Sequence, residues 1–174
     1  LAMTATAAVP DLAELNRMIA RFAPAEVKAD TSKLSAGDQQ ALKKLIEAAN
    51  VLDQLFLTQR WNGNEAVRIN LMRDPRPLGK ARLHYFDLNK GPWSDLDGQV
   101  SFLPSRLPFI QESGDVFAIA PMIPDKKPAG ANFYPEDMTK DEFEAWASKL
   151  PKAQQEIARG FFSVIRRGAD KKLT

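Results

Sequence analysis

"KKPAGANFYPEDMTKDEFEAW", residues 126–146, joins two unlike kinds of chain. Its second half reads as a helix start. Thr139 is a good N-cap, and Glu142 stands three residues on, where its carboxylate can reach back to the Thr139 backbone N–H. Asp141 and Glu142 put negative charge in the first turn, at the positive end of the helix dipole. Phe143, Trp146, Ala147 and Leu150 then recur at i, i+3, i+4 and i+7, one apolar face. Pro151 ends that helix or begins the next. The first half, residues 128–138, is aromatic, bounded by prolines and without period. What holds it has to come from elsewhere in the chain.

Upstream, the helical period is absent from residue 91 to residue 138. Six of the twelve prolines fall between Pro104 and Pro135. A run this long without secondary structure is uncommon in a compact domain, and is usually functional or packed by its own side chains. It carries Trp93, Phe102, Phe109, Phe117, Phe133 and Tyr134, too aromatic a set for a disordered linker. The expectation is an ordered irregular segment lying over a helical core.

That core is written before residue 91. Pro10 and Asp11 open a first amphipathic stretch with Leu12, Leu15, Ile19 and Phe22 on one face, closed by Pro24. Residues 25–34 read as a polar loop. Ser35, with Asp38 three residues on, caps a second helix. Its expected buried face is Leu42, Leu45, Ile46, Ala49, Leu52 and Phe56, running out to about Trp61 before the Asn62-Gly63-Asn64 stop. A third helix fits residues 65–73, with Val67, Leu71 and Met72. After the Asp74-Pro75-Arg76-Pro77 break, a fourth fits 78–88, with Leu78, Ala81, Leu83, Tyr85 and Leu88. Beyond Pro151 a last helix runs to about Phe161. "FFSVIRR" then reads as a short strand, and "RGADKKLT" as a turn into a second strand. The predicted fold is mainly α: a helical lobe, the irregular segment at about 91–138 and a small β-hairpin near the C-terminus. The predicted organisation is a flexible arm, residues 1–9, and a single helical domain, residues 10–174.

Composition narrows function. The chain has 24 Lys and Arg against 22 Asp and Glu, a net charge of only +2, so neither nucleic acid nor an anionic membrane is expected as partner. No run approaches the ~18 apolar residues of a membrane span. Cysteine is absent, which excludes disulfides and thiolate chemistry and leaves the compartment open. "LAMTATAAVP" is small and apolar. Read as the remnant of a secretory signal it implies the periplasm; otherwise the chain is expected in the cytoplasm. His84 is the one histidine, so no multi-histidine metal site exists here. Glu136, Asp137, Asp141, Glu142 and Glu144 form an acidic cluster without the alternating ligands and bend glycine of a calcium loop. It reads as a solvated helix start, answered by the basic residues Arg159, Arg166, Arg167, Lys171 and Lys172. No catalytic and no metal-ligating residue is expected in the chain.

With the opening stretch, "AANVLDQLFLTQRW", "YFDLNKGPWSDLDGQVSFL" and "FFSVIRRGADKKL" follow one another in an order that resembles the shorter bacterial members of the dipeptidyl-peptidase III family of zinc metallopeptidases. The resemblance covers roughly residues 38–174. It implies two lobes around a cleft, release of dipeptides from peptide N-termini, and a zinc held by an H-E-x-x-G-H helix plus a downstream glutamate. This sequence has no such motif. The resemblance therefore implies the N-terminal lobe of such a peptidase, inactive as this fragment, with no cofactor of its own and zinc only in the full-length protein. Its partners would be the C-terminal catalytic lobe and, through it, a peptide substrate. The matching positions Trp93, Gly130, Asn132, Phe133, Tyr134, Pro135, Asp137, Met138 and Thr139 are read as structural. Asn132 would tolerate unusual backbone angles and Gly130 would supply a positive φ. The alternative is a stand-alone, non-catalytic binding domain derived from that family.

Overall fold

The computed structural model describes residues 8–107 and 121–174. Residues 1–7 of the expected arm, and Phe109 and Phe117 of the expected irregular segment, lie outside the described residues. The described residues form six helices: α1 (Leu12–Ile19), α2 (Ala36–Arg60), α3 (Asn64–Met72), α4 (Pro77–Asn89), α5 (Lys140–Ala147) and α6 (Lys152–Ala158). One antiparallel ribbon joins β1 (Trp93–Ser94) to β2 (Val100–Ser101), with Trp93 opposite Ser101. The chain is mainly α, as its periodicity indicates.

The helices begin where local chemistry satisfies their free N–H groups. Asp11, Ser35 and Thr139 accept from the backbone N–H three residues on, at 2.8, 3.2 and 3.1 Å. Pro77 opens α4 at a position that needs no donor. The capping box at Thr139 is half formed. The Glu142 carboxylate, expected to turn back on Thr139, is instead gripped by Arg167 at 2.8 and 2.9 Å.

Two apolar clusters result. The first gathers α1, α3, α4, the end of α2 and the ribbon around Leu15, Val67, Tyr85, Phe86 and Trp93, all fully buried. Its aromatic rings meet edge to face: Trp61 with Trp93 at 5.1 Å, Tyr85 with Phe102 at 4.7 Å. Such pairs add ~0.5–1.5 kcal/mol beyond the area they bury. The second cluster sets α5 and α6 against Ile165 and Leu173.

Three features differ from expectation. Leu57 is the one buried residue of α2, and most of the apolar face expected to line a core is open to solvent. The periodicity identifies which face would bury but not whether this chain supplies its cover. The C-terminal hairpin exists as a single bridge, Arg167 with Leu173, while the named ribbon lies inside the segment read as irregular. Finally, α6 stops at Ala158, and Phe161 and Phe162 stand fully exposed in a turn rather than in a strand. The described parts of the irregular segment are tied together by Ser101 N–H to Asp125 O (2.8 Å), Ile123 N–H to Ser105 O (2.8 Å) and Trp93 Nε1–H to Pro124 O (2.8 Å).

Candidate functional site

Residues 130–139 form a strap across the joint between the two clusters. α2 ends with unsatisfied carbonyls, as every helix does. Asn132 answers two of them: its backbone N–H donates to Gln59 O at 2.9 Å and its Nδ2 to Thr58 O at 3.1 Å. The Asn132 carbonyl and Oδ1 in turn accept from Arg166 Nη2 at 2.8 and 3.2 Å. Phe133 O accepts from the Ile165 N–H at 2.8 Å, which fastens the strap to the C-terminal hairpin. Tyr134 packs edge to face on Phe143 at 5.8 Å. Pro135 O accepts from the Met138 N–H at 3.1 Å, closing the turn that delivers Thr139 to its cap. Met138 packs on the second cluster. Trp93 is buried in the first cluster and joined to the strap through Trp61, whose Nε1–H donates to Glu136 at 2.7 Å.

The left-handed residue of the strap is neither Gly130 nor Asn132 but Ala131, at φ 47°. Gly130 serves a different need. A Cβ there would stand 2.8 Å from the Tyr134 Cβ, so the close approach of the turn excludes a side chain.

Arg167 is the electrostatic centre of the joint. Its guanidinium contacts both Asp137 (2.9 and 3.0 Å) and Glu142 (2.8 and 2.9 Å). Hydrogen bonds from Arg167 hold both carboxyls below their ordinary range, and Arg159 does the same for Glu144. Three of the five acids of the cluster are thus paired with the chain's own arginines. Asp137 and Thr139 are exposed but engaged.

A second polar constellation, not anticipated from sequence, lies on the other side of the first cluster. Arg21 donates to both oxygens of Asp97 at 2.8 and 2.6 Å, and to the Tyr85 hydroxyl at 3.1 Å. The Tyr85 hydroxyl and the buried Ser94 Oγ are 2.9 Å apart, and Ser94 donates on to Asp97. Arg21, Ser94 and Asp97 border a cavity of about 400 Å³ that also meets Glu14 and Arg17. A serine beside a carboxylate invites comparison with an activated nucleophile. Activation needs a base able to take the proton near neutral pH. Asp97 is held at about 2 by the Arg21 hydrogen bond, and so is too weak a base. The network ties α1 to α4 and the ribbon. Its partners lie 64 and 76 residues apart, so nothing local in the sequence signals it.

The described residues assemble no ligand set for zinc. Its sites are built from nitrogen and sulfur ligands in sets of three or four. The chain has one histidine, exposed on α4, and no cysteine. Among the described residues no group of three His, Cys, Asp or Glu side chains could hold a metal ion. No described helix is long and apolar enough to cross a membrane.

Known proteins resemble this chain over a limited part of their own length. The structure of dipeptidyl-peptidase III from Corallococcus sp. strain EGB matches 96% of the chain at 46% identity and a TM-score of 0.79, and the chain covers 28% of that protein. Dipeptidyl-peptidase III from Caldithrix abyssi matches 91% at 36% identity and a TM-score of 0.74, with 26% of that protein covered. A curated relative, Nudix hydrolase 3 of Arabidopsis thaliana, is 37% identical over 171 residues, which is 91% of this chain and 22% of the relative. No family model matches. The chain thus spans about a quarter of the length of these proteins and has the architecture of a dipeptidyl-peptidase III portion.

Proposed function

We propose that this chain is the N-terminal lobe portion of a dipeptidyl-peptidase III-like zinc peptidase, one that removes dipeptides from peptide N-termini, and that alone it is inactive. The observation that carries this reading is the match of nearly the whole chain, in sequence and in space, to 28% of one such enzyme. The side chains suit a scaffold. The strap satisfies the end of α2, Arg167 pairs with both Asp137 and Glu142, and the buried Ser94 beside Asp97 lacks a competent base. In this reading the zinc, the peptide site and the general base belong to the remaining portion, and this chain's residues hold the fold against which that portion is set.

The test is hydrolysis of dipeptidyl-naphthylamide substrates by this chain, with and without added zinc. The expected result is no release above a matched blank, because hydrolysis by that route needs a metal-activated water with a base beside it. Zinc-dependent dipeptide release from the chain alone would overturn it. The relative named for Nudix hydrolysis favours a second reading, in which this segment is a binding module that occurs beside more than one kind of catalytic unit. A reading frame that continues past Thr174 into an H-E-x-x-G-H segment decides for the first reading. A stop codon there favours a stand-alone, non-catalytic binding domain.

A further inference from the structure

Seven asparagines stand in the sequence, and Asn62 alone is followed by glycine. Asparagine is a chemically labile residue. The backbone nitrogen of the next residue can attack its side-chain carbonyl carbon and close a five-membered ring. Glycine at that next position puts no Cβ in the way and has the most permissive backbone.

The fold leaves this pair open and holds the others. Asn62 is exposed in the turn between α2 and α3. Among the described residues its side-chain amide has no hydrogen-bond partner, and neither has the Gly63 N–H. Gly63 lies at φ −81° and ψ −10°, as the third residue of a type I turn does. One backbone bond closes that turn, Asn64 N–H to Trp61 O at 3.2 Å. Opening it frees Asn62 to bring its Cγ onto the Gly63 nitrogen. By contrast, Asn64 and Asn89 are buried and donate from Nδ2 to Leu57 O and Tyr85 O, and Asn132 donates to Thr58 O. Asn16, Asn50 and Asn70 lie inside α1, α2 and α3, where the helix fixes the backbone that would have to rotate. The one Asp-Gly pair, Asp97-Gly98, has its carboxylate held by Arg21 at both oxygens.

Packing also fixes the glycine. A Cβ on Gly63 would overlap the Trp61 ring. That ring is buried, set edge to face on Trp93 and tied through Nε1–H to Glu136 at 2.7 Å, so it cannot readily move aside.

We propose that Asn62 is a self-modification site, at which the Gly63 nitrogen displaces the Asn62 side-chain amide as ammonia and water then opens the succinimide so formed. The Gly63 N–H gives its proton to a base in the solvent, the bond from its nitrogen to Cγ forms, and the Cγ–Nδ2 bond breaks as Nδ2 takes a proton from water. Water adding at Cγ restores the main chain and leaves aspartate. Water adding at the Asn62 backbone carbonyl leaves isoaspartate, with the chain routed through Cβ and Cγ. That second product has one more backbone atom between Trp61 and Gly63, which carries the Asn64 N–H off Trp61 O. Asn64 ties α2 to the end of α4 through Leu57 O and Lys90 O, at 2.9 and 3.3 Å. The isoaspartate form therefore loosens the joint between α2, α3 and α4.

The test is incubation of the folded chain in mildly alkaline buffer, followed by peptide mapping with mass spectrometry and by methyl transfer with an isoaspartate methyltransferase. Asn62→Gln is the control, because its ring would have six members and closes far more slowly. The expected result is a mass change confined to the peptide that carries Asn62, with aspartate and isoaspartate both present and both lost in Asn62→Gln. The isoaspartate species should also unfold at a lower denaturant midpoint than Asn62→Asp. Reaction in denaturant alone overturns the proposal, since the native turn would then protect Asn62. Reaction spread evenly over the asparagines, or unchanged in Asn62→Gln, overturns it as well. An isoaspartate species as stable as Asn62→Asp overturns the effect on the joint.

Discussion

Asn132 joins three parts of the chain with one side chain and two backbone groups. It caps α2 through Thr58 and Gln59, and it receives Arg166 from the hairpin. Asn132→Ala keeps the backbone bonds and loses the Nδ2 and Oδ1 contacts, so it should cost ~0.5–1.5 kcal/mol in denaturant unfolding, with the exposed Thr58 carbonyl left to water. Asn132→Asp should not rescue it, because a carboxylate cannot donate to Thr58 and would face the negative end of the α2 dipole. An unchanged midpoint for the alanine variant would show that the strap does not hold α2. Thr139→Ala should cost ~1 kcal/mol through loss of the cap alone, since Glu142 is held by Arg167 and not by the Thr139 N–H. The contrast between these residues measures how far sequence reasoning reaches. Thr139 and its acceptor role were legible because cap and helix are three residues apart. The partners of Asn132 lie 74 and 34 residues away, and no local pattern names them. The same distance hid Arg167's choice of Glu142, and with it half of the capping box.

Helix α4 shows packing overruling propensity. Gly79 lies in its first turns, where alanine would be the better helix former by ~1 kcal/mol. A Cβ at that position would stand 2.2 Å from the Asp74 Cγ and 2.7 Å from the Asp74 carbonyl oxygen. Asp74 cannot readily move aside, because it is buried and bound to Arg76 at both oxygens, each at 2.7 Å. Overpacking costs ~1–3 kcal/mol, so Gly79→Ala should lower the urea midpoint rather than raise it. A raised midpoint would mean that the loop joining α3 to α4 yields. At this scale the helix boundaries were largely legible, because caps, prolines and apolar period agree on each. α4 runs from Pro77 to Asn89 against an expected 78–88. The burial of α2 was not legible, because period encodes a face and says nothing of what covers it. The strand-forming residues of "FFSVIRR" indicate a longer hairpin than the single Arg167–Leu173 bridge that forms. Yet Phe161 and Phe162 lie fully exposed in a turn.

For the molecule as a whole, charge pairing makes stability depend on acid. Its 24 basic and 22 acidic side chains nearly cancel at neutral pH. The acids that bind arginine bind it more tightly when ionised: Asp97 to Arg21, Asp137 and Glu142 to Arg167, Glu144 to Arg159, and Asp74 to Arg76. Each of these carboxyls is depressed in the folded state below its ordinary value. A depressed carboxyl adds stability that is complete above its unfolded pKa and is lost as pH falls through its folded one. For Asp97 the window runs from 3.8 down to about 2. In the same interval the other acids neutralise, and the net charge climbs from +2 towards the full basic count, so self-repulsion adds to the lost pairing. Near-UV circular dichroism should therefore collapse between about pH 4 and pH 2, and earlier at low salt than at 0.15 M, where repulsion is screened over ~8 Å. Asp97→Asn isolates one contribution. The Asp97 side chain is 40% exposed, so solvent screening limits the pH-dependent part of its loss to less than ~1 kcal/mol. That part should be present at pH 7 and vanish near pH 2, where the native Asp97 has itself taken up its proton. A wild-type advantage that stays constant across this range would show that the Arg21–Asp97 pair adds no pH-dependent stability, and that the network around Tyr85 and Ser94 stands on its neutral hydrogen bonds alone.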